Sequence, residues 1–361
     1  MSKELSRQFN PDWVISPGAT IADLLEEHGW SQSEFASRIG YTRKHVNLLI
    51  QGRVSLTEDA AIKLERVLGS TVNFWLNREA IYRGAIAKKE DLNNLHDSVS
   101  WLKELPIKEM ISFRWIKNLV DKREIVAECL KFFGVASVDA WKSKYQTPIA
   151  AFRSSKLIDK HKGSASAWLR QGEHQVAEIS CAPFNRVTFF STLQEVRMLT
   201  REEKSEVFIP KLVQVCANSG VALAIVRAPK GCPISGATRW LGQDKALIIL
   251  SDRCKTNDQF WFTFFHEAGH LLLHSKKLWF IDVEGQMDGI QEMEADNFAS
   301  RTLIPDKFYP NLLKLSKSEE TVRNFAKALG IAPGIVVGRM QKEKILPWSH
   351  LNGLKIKLEN L

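Results

Sequence analysis

Between Pro17 and Tyr82 apolar residues recur at three- and four-residue spacing, in five blocks separated by small polar residues and glycine. Ile21, Leu24 and Leu25 make the first block, and Phe35, Ala36 and Ile39 the second. Val46, Leu49 and Ile50 make the third, Ala60, Ala61, Leu64 and Leu68 the fourth, and Phe74, Trp75, Ile81 and Tyr82 the last. That period lines each block along one face of a helix. Ser16-Pro17-Gly18 and Thr42 stand where a helix start needs a side-chain oxygen for its free amides, and Ser31-Gln32-Ser33-Glu34 reads as a capping box. Gly29, Gly40 and Gly52 stand at the ends.

From about 84 to 200 the text stays helical without a chemical signature. Ile125 to Phe133 and Ser164 to Glu178 read as amphipathic helices, best taken as a linker or scaffold. The pattern changes near 205. Val221 to Val226 and Leu247 to Leu250 are short, branched apolar runs, which predict strands, and Gly236 to Trp240 is a candidate third. A long helix then runs through Phe260, Phe264 and His270, a second from Gln291 to Leu303 stops at Pro305, and two more cover Val322 to Leu329 and Pro333 to Lys342. The expected fold is α+β, mostly α: a five-helix domain over 1–85, a helical middle region over 86–204, and an α+β domain over 205–361.

A chain of 361 residues is long enough for two or three domains. No apolar run approaches the roughly 18 residues of a membrane span, and Met1-Ser2-Lys3-Glu4-Leu5-Ser6-Arg7 has no apolar stretch behind its charges, so neither membrane insertion nor a secretion signal is expected. The five cysteines are scattered and contain no C-x-x-C pair, which fits a reducing cytoplasm and argues against a disulfide framework or a cysteine zinc site. The formal net charge is +9, and its placement is informative. No acidic residue occurs from Phe35 to Thr57, whereas Arg38, Arg43, Lys44 and Arg53 all do, a stretch suited to phosphate.

Within that stretch, helices Ser31–Ile39 and Thr42–Gln51 joined at Gly40 have helix-turn-helix spacing. The second helix is then the one for the major groove of double-stranded DNA, with Thr42, Arg43, Lys44 and Asn47 at base edges. Gln32 at the first helix's start and Arg53 beyond the second suit phosphates, while Val46 and Leu49 belong to the core. The plainer alternative is a small helical bundle with a solvated basic face.

A second cluster carries different chemistry. In His266-Glu267-Ala268-Gly269-His270, two imidazoles four residues apart share a helix face and can bind one ion. Glu267 lies about 100° further round, where a general base for an attacking water belongs. A third ligand is needed to leave one position open. The scheme that takes glycine and histidine further along the same segment fails, because those positions hold Leu273 and Lys276. Glu292-Met293-Glu294-Ala295-Asp296 on the next helix offers Glu292 or Glu294. Glu292 and Asp296 share a face, so one can ligate while the other orients a ligand histidine; Glu294 should point elsewhere. His274 continues the stripe but lies about 12 Å along the axis from His266, too far to share its ion readily.

The segment from Phe260 to His274, the run Glu292-Met293-Glu294-Ala295-Asp296-Asn297-Phe298-Ala299, Leu303-Ile304-Pro305 and Ile335 to Gln341 together resemble the ImmA/IrrE family of metallopeptidases. The resemblance covers about 205–345 and implies a zincin-like fold, zinc on His266, His270 and Glu292, Glu267 as base, and a protein substrate such as an Xre-type repressor. Ala268 and Ile304 depart from the usual residues without touching the chemistry. Pro17 to Tyr82 resembles the Xre-type helix-turn-helix domain, notably its HigA-like antitoxin branch, through Ser31 to Ala36, Val46-Asn47, Gly52-Arg53, Leu56-Thr57, Ala60, Leu64, Leu68-Gly69 and Asn73 to Leu76. That implies operator binding as a homodimer and admits a toxin partner. The expected protein is a DNA-binding regulator with a zinc endopeptidase domain. Its rival is a HigA-like antitoxin or repressor whose metal domain is a sensor or scaffold.

Overall fold

Each helix of the first sixty residues described begins on a hydroxyl that does structural work. Ser16 accepts from the Ala19 amide at the start of α1 (Pro17–His28), Ser31 from the Glu34 amide at α2 (Gln32–Ile39), and Thr42 from the His45 amide at α3 (Arg43–Ile50). Thr57 and Thr71 do the same for α4 (Glu58–Leu68) and α5 (Val72–Asn94). Such caps are each worth about 1 kcal/mol. Half of the expected capping box is present: the Glu34 carboxylate accepts from Arg38 at 2.8 Å, four residues on. The computed structural model describes residues 15–146, 161–274, 280–283 and 289–358. The leader reading of Met1 to Arg7 and the position of Lys276 fall outside them.

The chain divides into two compact units, Met1–Asp97 and Ser98–Leu361. In the first, Ile21, Phe35, Ala36, Ile39, Val46, Leu49, Ala61, Leu64 and Trp75 form one buried cluster, drawn from all five helices. Gly18 lets α1 lie against the end of α3, since a Cβ there would strike the Ile50 carbonyl. The turn between α2 and α3 is closed by Gly40 in the left-handed region at φ 76°, which glycine adopts without steric cost.

The second unit is built on a four-stranded mixed sheet of β1 (Val221–Val226), β2 (Ile234–Trp240), β3 (Ala246–Ser251) and β4 (Phe280–Val283), in the order β1-β3-β2-β4. β1 and β3 run parallel; β2 is antiparallel to both of its neighbours. The three expected strands are present and β4 was not anticipated. Every residue of β3 is buried because both sheet faces are covered. On one face lies α6 (Asn257–Leu273), whose Phe260, Phe264 and Phe265 share a core with Ala246, Ile248 and Leu250. On the other lies α7 (Lys162–Ala177), where Gly172 leaves no room for a Cβ above Ile249 and the Trp168 indole donates to the Val226 carbonyl at 3.0 Å.

That contact changes the picture of the middle region. The described residues between 98 and 204 lie in the same compact unit as the sheet. Within them Trp101, Phe133, Trp141 and Tyr145 form an aromatic cluster. Glu173 of α7 accepts from Arg170 at 2.8 Å and pairs with Arg239 of β2, tying the helix across the sheet. Helices α8 (Ile290–Leu303), α9 (Glu319–Leu329) and α10 (Pro333–Lys342) complete the unit around α6. The five cysteines carry no disulfide, and four of them are buried.

Candidate metal centre and nucleic-acid interface

Helix α6 is buried along nearly its whole length, and that burial includes the side chains of His266, Glu267 and His270. Polar groups enclosed in this way need partners. Gly269 supplies the approach that brings them: its Cα side faces Ala295 of α8, where a Cβ would lie 3.3 Å from the Ala295 Cα. The two helices therefore cross closely, and α8 carries its acids to the histidines.

His266 and His270 place their Nε2 atoms 3.0 Å apart. Glu292 Oε2 lies 3.1 Å from the first and 3.5 Å from the second. Three ligands about 2.0–2.1 Å from a tetrahedral ion stand roughly 3.3–3.4 Å from one another. The donors are two nitrogens and one oxygen, a set suited to zinc. In the metal-free protein burial disfavours charge on Glu292, but hydrogen bonds from Nε2 of His266 and His270 outweigh it and bring the carboxyl down to about 2, so the oxygen is an anionic donor once an ion takes the place of those protons. Burial lowers the pKa of His270 and keeps its imidazole neutral, the form that binds metal.

Asp296, one turn beyond Glu292, accepts from His266 Nδ1 at 2.9 Å. With a proton held there on Nδ1, Nε2 would be free to offer its lone pair to a bound ion. Glu294 points away from the other two acids. It stays out of the three-donor cluster, yet its Oε2 lies 3.0 Å from His274 Nε2, and His274 Nδ1 lies 3.0 Å from His270 Nδ1. An ideal helix places Glu294 about 200° from Glu292; the close crossing of α8 over α6 gives that direction its own histidine.

Glu267 faces the sheet. Thr238 of β2 donates its hydroxyl to Glu267 Oε2. Two residues earlier on the same strand face, Gly236 leaves room for the carboxylate: a Cβ there would collide with Glu267 Oε1 and lie 2.8 Å from Thr263 Cγ2. Phe280 of β4 stacks on the His270 ring with centroids 4.3 Å apart and planes 18° from parallel. Thr238, Gly236, Phe280 and the role of His274 all escaped the sequence reading. The one available signal was the Gly236–Thr238 period of two, and it became informative only once the strand was paired.

In the other unit, α2 and α3 form the expected pair. Thr42, Arg43, Lys44 and Asn47 are exposed on α3 and at its cap, Arg53 is exposed beyond it, and Gln32 is half-buried at the start of α2. Val46 and Leu49 are buried. Arg38, the remaining cation of the basic stretch, is engaged locally, paired with Glu34 and stacked 4.1 Å from the Trp30 ring centroid.

The helix-turn-helix family model matches residues 21–75, and the model for the IrrE N-terminal-like domain of the M78 peptidases matches residues 233–341. The chain is 36% identical over 73 residues to the uncharacterized HTH-type transcriptional regulator YddM of Escherichia coli K12, a span of 20% of this chain and 78% of that protein. Among solved structures it is similar to a HigA-family addiction module antidote protein from Coxiella burnetii (26% identity, 23% of this chain and 92% of the other, TM-score 0.22). It is also similar to the Pseudomonas aeruginosa antitoxin HigA with the higBA promoter (23% identity, 24% and 94%, TM-score 0.22).

Proposed function

The chain belongs to the helix-turn-helix transcriptional regulators through residues 21–75 and carries an IrrE N-terminal-like peptidase domain over residues 233–341, and on that footing we propose that it is a regulator that binds double-stranded DNA and cleaves a regulatory protein through a zinc centre. The observation that carries the catalytic half is the convergence of His266, His270 and Glu292 beside a buried, hydrogen-bonded Glu267. Bound zinc supplies Lewis acidity toward a peptide carbonyl and a water molecule.

The chain's own groups do the remaining work. His266, His270 and Glu292 hold the ion, and Asp296 fixes the His266 ring. Glu267 takes a proton from the attacking water on its carboxylate and delivers it to the leaving nitrogen. Thr238 holds that carboxylate in place. On the DNA side, Arg43, Lys44, Asn47 and Thr42 read base edges while Gln32 and Arg53 hold phosphates. One such helix reads one half-site, so a homodimer is the operator-binding form. A repressor of Xre type is the substrate class this pairing favours, because operator binding brings the peptidase to DNA-bound proteins. Among the described residues no helix is long and apolar enough to cross a membrane, in keeping with action in the cytoplasm.

The rival reading, an antitoxin or repressor whose metal centre only senses, keeps the DNA contacts and removes the proteolysis. Cells expressing the wild type or Glu267→Gln separate the two when new protein N-termini are profiled and zinc is quantified in each purified protein. The proposal expects equal zinc in both and new N-termini only with the wild type. Identical N-terminal profiles with zinc retained would leave the sensor.

A further inference from the structure

The two metal-facing histidines are braced differently. His266 is held by one acid directly, Asp296. His270 is held at the end of a chain: its Nδ1 meets His274 Nδ1 at 3.0 Å, and His274 Nε2 meets Glu294 Oε2 at 3.0 Å. We infer that His274 and Glu294 are positioning residues that set the tautomer of His270 and so determine how tightly the centre holds its metal. This rests on the zinc reading given above.

The proton assignment follows from the donors and acceptors. For His270 to offer its Nε2 lone pair, its proton must sit on Nδ1. That proton can be donated to His274 Nδ1 only if this nitrogen is bare. His274 must then carry its own proton on Nε2, and the acceptor there is the Glu294 carboxylate. One acid thus fixes two rings. Were His274 in the other tautomer, its Nδ1 proton would face His270 Nδ1, driving the His270 proton to Nε2 and blocking the metal.

The surroundings favour a defined arrangement. The His270 side chain is fully buried and that of His274 is 4% exposed. Phe280 covers both rings, with centroids 4.3 and 5.1 Å away. A hydrogen bond between enclosed rings is strengthened by exclusion of water. The Glu294 end is 53% exposed, where water competes with the carboxylate, so the influence of the acid is smaller than that of the histidine. Helix α8 thereby uses Glu292, Glu294 and Asp296 for three separate tasks at one centre.

The test is zinc titration of the full-length apoprotein against a chromophoric chelator, with cobalt(II) spectra as a second readout. Removing an outer partner of a ligand histidine typically costs about 10–100-fold in metal affinity. His274→Phe keeps an aromatic ring beneath Phe280 but removes both hydrogen bonds, and should weaken zinc by that range and alter the cobalt spectrum. His274→Asn returns an acceptor near the Nδ1 position and should recover part of the loss. Glu294→Gln should fall between wild type and His274→Phe. The His274→Phe apoprotein should melt below the wild type, because a buried hydrogen bond is lost, and the Glu294→Gln apoprotein should melt with the wild type. Wild-type zinc affinity in His274→Phe would overturn the inference while leaving the zinc centre standing, as would a loss matched by apoprotein destabilisation and not recovered by Asn. Failure of the wild type to bind zinc more tightly than His266→Ala would remove the centre and the inference together.

Discussion

Thr238 donates its hydroxyl to the carboxylate of Glu267, linking an interior strand of the sheet to the one acid of α6 that faces it. Both residues are buried, so water does not replace this bond when it is removed. Leaving a buried hydrogen-bonding group without its partner costs about 1–3 kcal/mol. Thr238→Val keeps the shape and deletes the donor. It should destabilise the apoprotein by that amount in urea unfolding and reduce protein cleavage in cells, whereas Thr238→Ser should keep both near wild type. Equal behaviour of the valine and serine variants would show that the hydroxyl does not hold the base.

Gly236 makes a complementary prediction through space. A methyl group at this position would occupy the volume of the Glu267 carboxylate, and overpacking of this kind costs about 1–3 kcal/mol. Gly236→Ala should lower stability by that range. Combined with Glu267→Ala, which empties the volume, the penalty should shrink, giving a favourable coupling energy in a double-mutant cycle. Strict additivity would place the clash elsewhere.

The difference between what could and could not be read from the sequence follows sequence distance. Helix starts at Ser16, Ser31 and Thr42 were legible because a cap and the amide it satisfies lie within three residues. The His266–His270 and Glu292–Asp296 pairs were legible because residues four apart share a helix face. Glu267 could be given a direction but no partner, because Thr238 is 29 residues away on a strand whose facing depends on its neighbours. Trp168 and Gly172 looked like scaffold because the strands they cover lie some fifty residues or more further on. His274 is distant from His266 along the helix, and its actual partner is His270, one turn away.

The centre should also make the apoprotein sensitive to acid. His270 is neutral when folded because burial lowers its pKa below 6.5, with His266 and His274 opposing its charge and Glu292 favouring it. The unfolded chain therefore binds a proton more readily than the folded one below 6.5. Stability is fully present above that value and is lost as pH falls toward the folded pKa. Glu292 adds a second window: its carboxyl is lowered from 4.5 to about 2 when folded, so its contribution is present above 4.5 and disappears as pH falls from there to about 2. Urea midpoints of the metal-free protein should decline from pH 7 to 5, and His270→Gln should flatten that slope. A slope unchanged by the substitution would assign the acid sensitivity to another group.

The nucleic-acid face separates two arginines that composition alone treats alike. Arg43 is exposed on the first turn of α3, for which base-edge contact is proposed, while Arg53 is exposed beyond the helix end, for which phosphate contact is proposed. An arginine on guanine makes two bonds and discriminates by about 1–3 kcal/mol at one base pair, whereas a phosphate contact carries no sequence information. Arg43→Ala should therefore relax selection at one operator position, read from binding to a randomised DNA pool. Arg53→Ala should weaken every sequence alike and reduce the slope of log affinity against log salt by about 1. Losses of the same size and the same salt dependence from both variants would make Arg43 another phosphate contact and leave Asn47, Lys44 and Thr42 to supply all of the specificity.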